Sequence, residues 1–246
     1  MPGVALVTGA GLWAQARRVA AAPLPHFEDL DPSGHYGDPA GAPVRIDVLG
    51  DSSVTGPGLA RGSHSWIARL ADSLPWSVEL RSHARGGSRV RDALIEQAPA
   101  ATDDPPDLYV VAIGANDVMH ATPGPLFRRD LGRLLDSLRQ AAPVVSFGVG
   151  DLSVIPRLPW TFRTLVSRRS ATIDRFHERV SEGRDRVVRL PTRELLDRIF
   201  RQDGHDLFVE DEFHPSDAVH KQWAQAFVPH IRAELESITR RAGRSA

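Results

Sequence analysis

The sequence predicts an α/β domain whose parallel sheet is covered by helices. Three observations predict it: short apolar runs alternate with amphipathic segments, a block of glycine and polar residues follows most of the apolar runs, and 246 residues with 41% hydrophobic and 25% charged side chains suffice for one full core. The runs Val44 to Leu49, Ser77 to Ser82, Leu108 to Ile113, Val144 to Val149 and Arg186 to Leu190 are each of ordinary strand length. Between them, apolar residues recur every three or four positions. This predicts helices beginning near Ser63 (Trp66, Ile67, Leu70, Leu74), Val90 (Val90, Leu94), Pro125 (Leu131, Leu134, Leu135, Leu138) and Thr161 (Leu165, Ile173, Phe176, Val180). A last helix is expected from about Ser216 through Trp223 and Phe227 to Ile238.

Residues 1–42 read as an N-terminal extension, a weak helix followed by a stretch rich in proline and glycine whose composition forbids long regular structure. The compact domain is expected over 43–240. The stretch from Val4 to Ala14 is moderately apolar, too short for a membrane span and without a preceding basic residue. A cytoplasmic location is therefore expected, with export or association with the cell envelope as the alternative. Leu6-Val7-Thr8-Gly9-Ala10-Gly11 lacks the later glycines of a dinucleotide-binding loop, with Trp13 and Gln15 in their place.

A net charge of -1 gives no overall field for holding nucleic acid or an anionic membrane, so the expected partner is a small molecule. With no cysteine, disulfides, thiolate catalysis and cysteine-ligated zinc are excluded. No cofactor is expected, and the oligomeric state is not readable.

Ligands of an open parallel sheet bind beyond the carboxyl ends of its strands. Gly50-Asp51-Ser52 follows the first run there, Ala84-Arg85-Gly86-Gly87-Ser88 the second, and Gly114-Ala115-Asn116-Asp117 the third. Asp211-Glu212-Phe213-His214-Pro215 comes after the last run and a short helix. Acyl transfer needs a nucleophile, a base, a group that orients the base, and donors aimed at an oxyanion. Ser52 is the candidate nucleophile and His214 the candidate base, because imidazole titrates nearest working pH. Asp211 stands three residues before His214, so one helical turn would put both side chains on the same side. Candidate oxyanion donors are the N–H groups of Ser52 and Gly87 and the amide of Asn116. Asp211, His214, His205 and Asp206 read alternatively as metal ligands, a reading that leaves Ser52 and Asn116 without roles.

With all four blocks in order, the chain resembles the SGNH or GDSL-type hydrolases over about Val44 to Phe227. The resemblance implies a flavodoxin-like three-layer α/β/α sandwich with five parallel strands in order 2-1-3-4-5, and metal-free serine esterase chemistry. It puts the nucleophile on Ser52, the oxyanion donors on Gly87 and Asn116, and the orienting pair on Asp211 and His214, with Asp51 and Asp117 structural. Gly86 competes with Gly87, because the second block lacks the asparagine with which it often begins in the family. Glu212 and Val219 stand where the family often has glycine.

The expected activity is cleavage of lipid-like or short acyl esters through an acyl-serine intermediate. Acyltransferase, thioesterase or carbohydrate deacetylase activity would use the same residues, and a non-catalytic binding protein is the alternative of another class. The apolar segment from Asp151 to Phe162 is expected either to wall an acyl pocket or to anchor the next helix, and Arg157 is a candidate for steering an anionic group.

Overall fold

The computed structural model describes residues 25–200 and 207–242. The weak N-terminal helix, the glycine pattern at 9–11, and His205 and Asp206 lie outside them. The sheet has six strands: β1 (Gly34–Gly37), β2 (Pro43–Gly50), β3 (Ser77–Ser82), β4 (Leu108–Ala112), β5 (Val144–Phe147) and β6 (Val187–Leu190). They lie in the order β1-β3-β2-β4-β5-β6. The five expected strands are parallel neighbours in the expected order. The sixth, β1, pairs antiparallel with β3 and falls within the stretch that reads as an extension. Four residues between Gly34 and Gly37 form no hydrophobic run of their own, and the strand is held by the β3 edge that it covers.

Side chains alternate across the sheet with period two, and both faces are buried. In β4, Leu108, Val110 and Ala112 enter one core while Tyr109 and Val111 enter the other. The first core is closed by α2 (Trp66–Asp72), α7 (Thr192–Phe200) and α8 (Asp217–Ala242). The second is closed by α3 (residues 90–102, with a π-helical turn at Ala93–Gln97), α5 (Gly124–Ala141) and α6 (Arg163–Ser181). Two short helices, α1 (Ser52–Thr55) and α4 (Ala115–Met119), follow β2 and β4 directly.

The strand ends differ from the sequence reading for local reasons. Beyond Phe147 the chain leaves the sheet, and the Gly148 N–H is taken by the Thr192 hydroxyl at 2.9 Å. Arg186 holds a left-handed conformation at φ 61°, so β6 starts one residue later. Pro125 falls in the first turn of α5, where its missing N–H costs nothing.

Trp66, Phe147 and Phe227 form the aromatic center of the first core, with ring centroids 4.7 to 5.4 Å apart. Trp66 also links α1 to α8. Its indole N–H donates to Ser53 O at 2.9 Å, and its backbone N–H donates to Nδ1 of His220, on α8, at 3.1 Å.

His177 and His220 are fully buried, and desolvation pushes their imidazoles down to about 4 and about 3. The unfolded chain takes up these protons near 6.5, whereas the folded protein takes them up only at lower pH. The stability they contribute is therefore complete above about pH 6.5 and is lost as pH falls through about 4 for His177 and about 3 for His220. Between pH 7 and 4.5 the Tm of a His177→Gln variant should fall less than that of the wild type; equal falls would contradict the buried neutral imidazole.

Candidate active site

Gly50 ends β2 where no other residue fits, since a Cβ there would meet Ala112 O and Val54 Cγ2 at 2.6 Å. The chain then turns into α1. Asp51 caps this helix, its Oδ1 accepting from the Ser53 N–H at 3.0 Å. Ser52 becomes the first helical residue, so its N–H has no acceptor within the helix. Asp51 is 1% exposed and its Oδ2 has no partner. Burial, reinforced by the nearby Asp117 and Asp29, raises its carboxyl to about 6.

The second block lies in the loop after β3. Asp29 Oδ2 accepts the Gly86 N–H at 2.7 Å, and Asp29 Oδ1 accepts the Thr55 hydroxyl at 2.6 Å. One carboxylate thus joins the end of α1 to this loop and occupies the Gly86 N–H. Gly87 is exposed, holds φ 76°, and has open space where a Cβ would stand.

Asn116 lies in the first turn of α4, and its Nδ2 donates to Ser88 O at 3.1 Å. The amide has a second N–H to offer. Asp117 is buried, and its Oδ2 accepts the Val90 N–H at 2.9 Å, fixing the start of α3. Desolvation raises its carboxyl above the usual range.

The fourth block is a turn closed by a bridge between Phe208 and Pro215, not the helical turn that the spacing of Asp211 and His214 suggests. Asp211 organises it from inside. Its Oδ1 accepts the N–H groups of Phe213 at 2.8 Å and His214 at 2.9 Å, while its Oδ2 accepts the His214 Nδ1 proton at 2.6 Å. Glu212 takes up a left-handed φ of 57°, a conformation that favors glycine. Val219 is fully buried in the first core, where its side chain supplies packing that glycine would lack.

Ser52, Asn116 and His214 line one cavity of about 110 Å³. Its deeper walls are apolar, from Trp66, Phe147, Val149, Leu196 and Phe227. Asp51, Leu152, Val154 and Ile155 also line it, so the first part of the 151–162 segment is a wall. Asp211 lies behind His214, and Gly87 is outside the lining. No hydrogen bond joins Ser52 to His214. Among the described residues, no three His, Asp or Glu side chains gather where they could hold a metal ion, and no helix is long and apolar enough to cross a membrane.

Two residues that sequence reasoning missed hold these loops together. Asp29 is one. The other is Gln97, buried in the π-helical turn, whose Oε1 accepts the Gly50 N–H at 2.9 Å and whose Nε2 donates to Gly50 O at 2.9 Å and to Ser88 Oγ at 3.1 Å. Gln97→Leu would leave the Gly50 N–H buried and unpaired, while Gly50 O keeps the Arg85 N–H at 3.2 Å, at a cost of about 2 kcal/mol. Urea denaturation should show an earlier midpoint with unchanged m, and an unaltered midpoint would contradict the clamp.

The GDSL-like lipase/acylhydrolase family model matches residues 48–222. A GDSL-like esterase of Mycobacterium tuberculosis is 31% identical over 185 residues, covering 70% of this chain and 57% of that protein. The chain thus spans little more than half the length of that relative. Among solved structures, TesA superposes with a TM-score of 0.63 at 21% identity, over 77% of this chain and 98% of its own. The esterase EstA from Pseudoalteromonas sp. gives a TM-score of 0.60 at 18% identity, over 78% and 98%. These two likenesses concern the fold. With the family model spanning all four blocks, the chain belongs to the GDSL-like lipase/acylhydrolase family.

Proposed function

We propose that the protein hydrolyses carboxylic esters through an acyl-Ser52 intermediate, with His214 as base, Asp211 as its orienter, and the N–H groups of Ser52, Gly87 and Asn116 as the oxyanion site. The observation that carries this reading is the 2.6 Å bond from His214 Nδ1 to Asp211 Oδ2 at the wall of the cavity that Ser52 and Asn116 line. In the neutral imidazole that bond holds the proton on Nδ1 and leaves Nε2 as the acceptor.

In the proposed reaction Ser52 Oγ attacks the ester carbonyl as its proton passes to His214 Nε2. The Asp211 carboxylate stabilises the resulting imidazolium. The carbonyl oxygen becomes an oxyanion that takes hydrogen bonds from the three donors. Collapse of the tetrahedral species breaks the bond to the alcohol, which leaves with the proton from His214. Water then repeats the sequence and releases the acid. The missing Ser52 to His214 hydrogen bond is compatible with this scheme, since such contacts tighten once substrate is bound.

Two features favor Gly87 over Gly86 as a donor. The Gly86 N–H is already taken by Asp29, and Gly87 faces open space. The apolar walls formed by Trp66, Phe147 and Phe227 favor an acyl chain over a sugar, and so a lipid-like or short acyl ester over an acetylated carbohydrate. The esterase activity named for the Mycobacterium tuberculosis relative agrees with this reading.

Ser52→Ala should lower kcat on p-nitrophenyl acyl esters by several orders of magnitude while the melting curve stays native. Full activity in this variant would refute the assignment. Asn116→Ala should lower kcat by roughly 10²–10³-fold with little change in KM, and a loss below about threefold would remove Asn116 from the oxyanion site.

A further inference from the structure

We propose that the segment from Arg157 to Arg168 is a docking surface for an anionic lipid bilayer. Among the described residues five large hydrophobic side chains are exposed, and three of them, Trp160 at 72%, Phe162 at 39% and Leu165 at 56%, fall within six residues. They occupy a 3₁₀ turn and the first turn of α6, immediately beyond the cavity wall formed by Leu152, Val154 and Ile155. The sequence reading treats this stretch as either a pocket wall or a helix anchor. Its first part is the wall, and its second part turns its largest side chains to solvent.

The charge around this patch is uneven. Residues 152–173 contain four arginines and no acidic residue, although the chain as a whole carries a net charge of -1. Arg157, Arg163 and Arg168 make no salt bridge among the described residues, whereas Arg169 is engaged with the carbonyls of Asp117, Val118 and Thr122. Asp151, which precedes the stretch, is held by Ser167 and Arg193, and the carbonyl of Glu212 accepts the Arg157 N–H at 3.1 Å. Arg168 and Arg169 also line a separate cavity of about 310 Å³ beside Thr122 and Thr172. Exposed aromatic and aliphatic side chains flanked by unpaired cations suit an anionic interface, where apolar insertion and headgroup attraction act together. Docked this way, the surface would bring the proposed acyl site next to the bilayer.

The test is co-sedimentation of the full chain with vesicles of phosphatidylglycerol and phosphatidylcholine in equal parts, and with vesicles of phosphatidylcholine alone. The wild type should bind the anionic vesicles, bind the neutral ones weakly, and be released by high salt. The triple variant R157Q/R163Q/R168Q should bind the anionic vesicles roughly 100-fold more weakly, and W160S/F162S/L165S should also lose binding. Both should keep wild-type kcat/KM on a soluble short-chain ester. Ser52→Ala should bind vesicles like the wild type, which separates failure of the docking surface from failure of the proposed chemistry. No binding by the wild type, equal binding to both vesicle types, or undiminished binding by either triple variant would overturn the proposal.

Discussion

The buried amide of Gln97 pairs with both backbone groups of Gly50 and reaches Ser88 as well, so one side chain ties the end of β2 to the loop after β3. The sheet brings its strand ends to one edge, but it does not determine how the loops beyond that edge lie against one another. Gln97 does so from inside, where its bonds are shielded from water and an unpaired partner is costly. Asp29 repeats the device nearer the surface, joining Thr55 to Gly86. Asn116 closes the arrangement through Ser88 O, so the amide proposed to meet the oxyanion is oriented by the loop it must cooperate with.

The carboxyl groups of the site divide by environment. Asp211 accepts three hydrogen bonds within its own turn and holds the imidazole of His214. Asp51 and Asp117 are buried, each with one oxygen unpaired, and both carboxyls are raised by desolvation. Asp51 acts on stability in the opposite sense to the buried histidines: its raised carboxyl stabilises the fold at low pH, and that contribution is lost as pH rises through about 6. The cap it gives to the Ser53 N–H is thus kept at a cost near neutral pH, at the residue that starts the helix carrying Ser52.

The parallel strands were legible because each is a short apolar run buried on both faces, and the blocks near the site because they lie where such strands end. The edge strand β1 was hidden for the opposite reason: four residues bounded by glycines carry no pattern until β3 offers them partners. Asp29 and Gln97 left no signal, since their partners lie 26 to 57 residues away in the case of Asp29 and 47 away between Gln97 and Gly50. The spacing of Asp211 and His214 pointed to proximity, but it suggested a helix where the backbone makes a carboxylate-centered turn with Glu212 in a left-handed conformation.

The central claim is that the Ser52 hydroxyl, in the cavity that the Asp211-held imidazole also lines, is the group that attacks the ester. Mass spectrometry after treatment with a fluorophosphonate tests it most directly, because the reagent is captured only by an activated nucleophile. The account predicts one adduct per chain, on the peptide containing Ser52, and almost none when His214 is replaced by alanine. An adduct on a different residue, or undiminished labelling of Ser52 without His214, would contradict it.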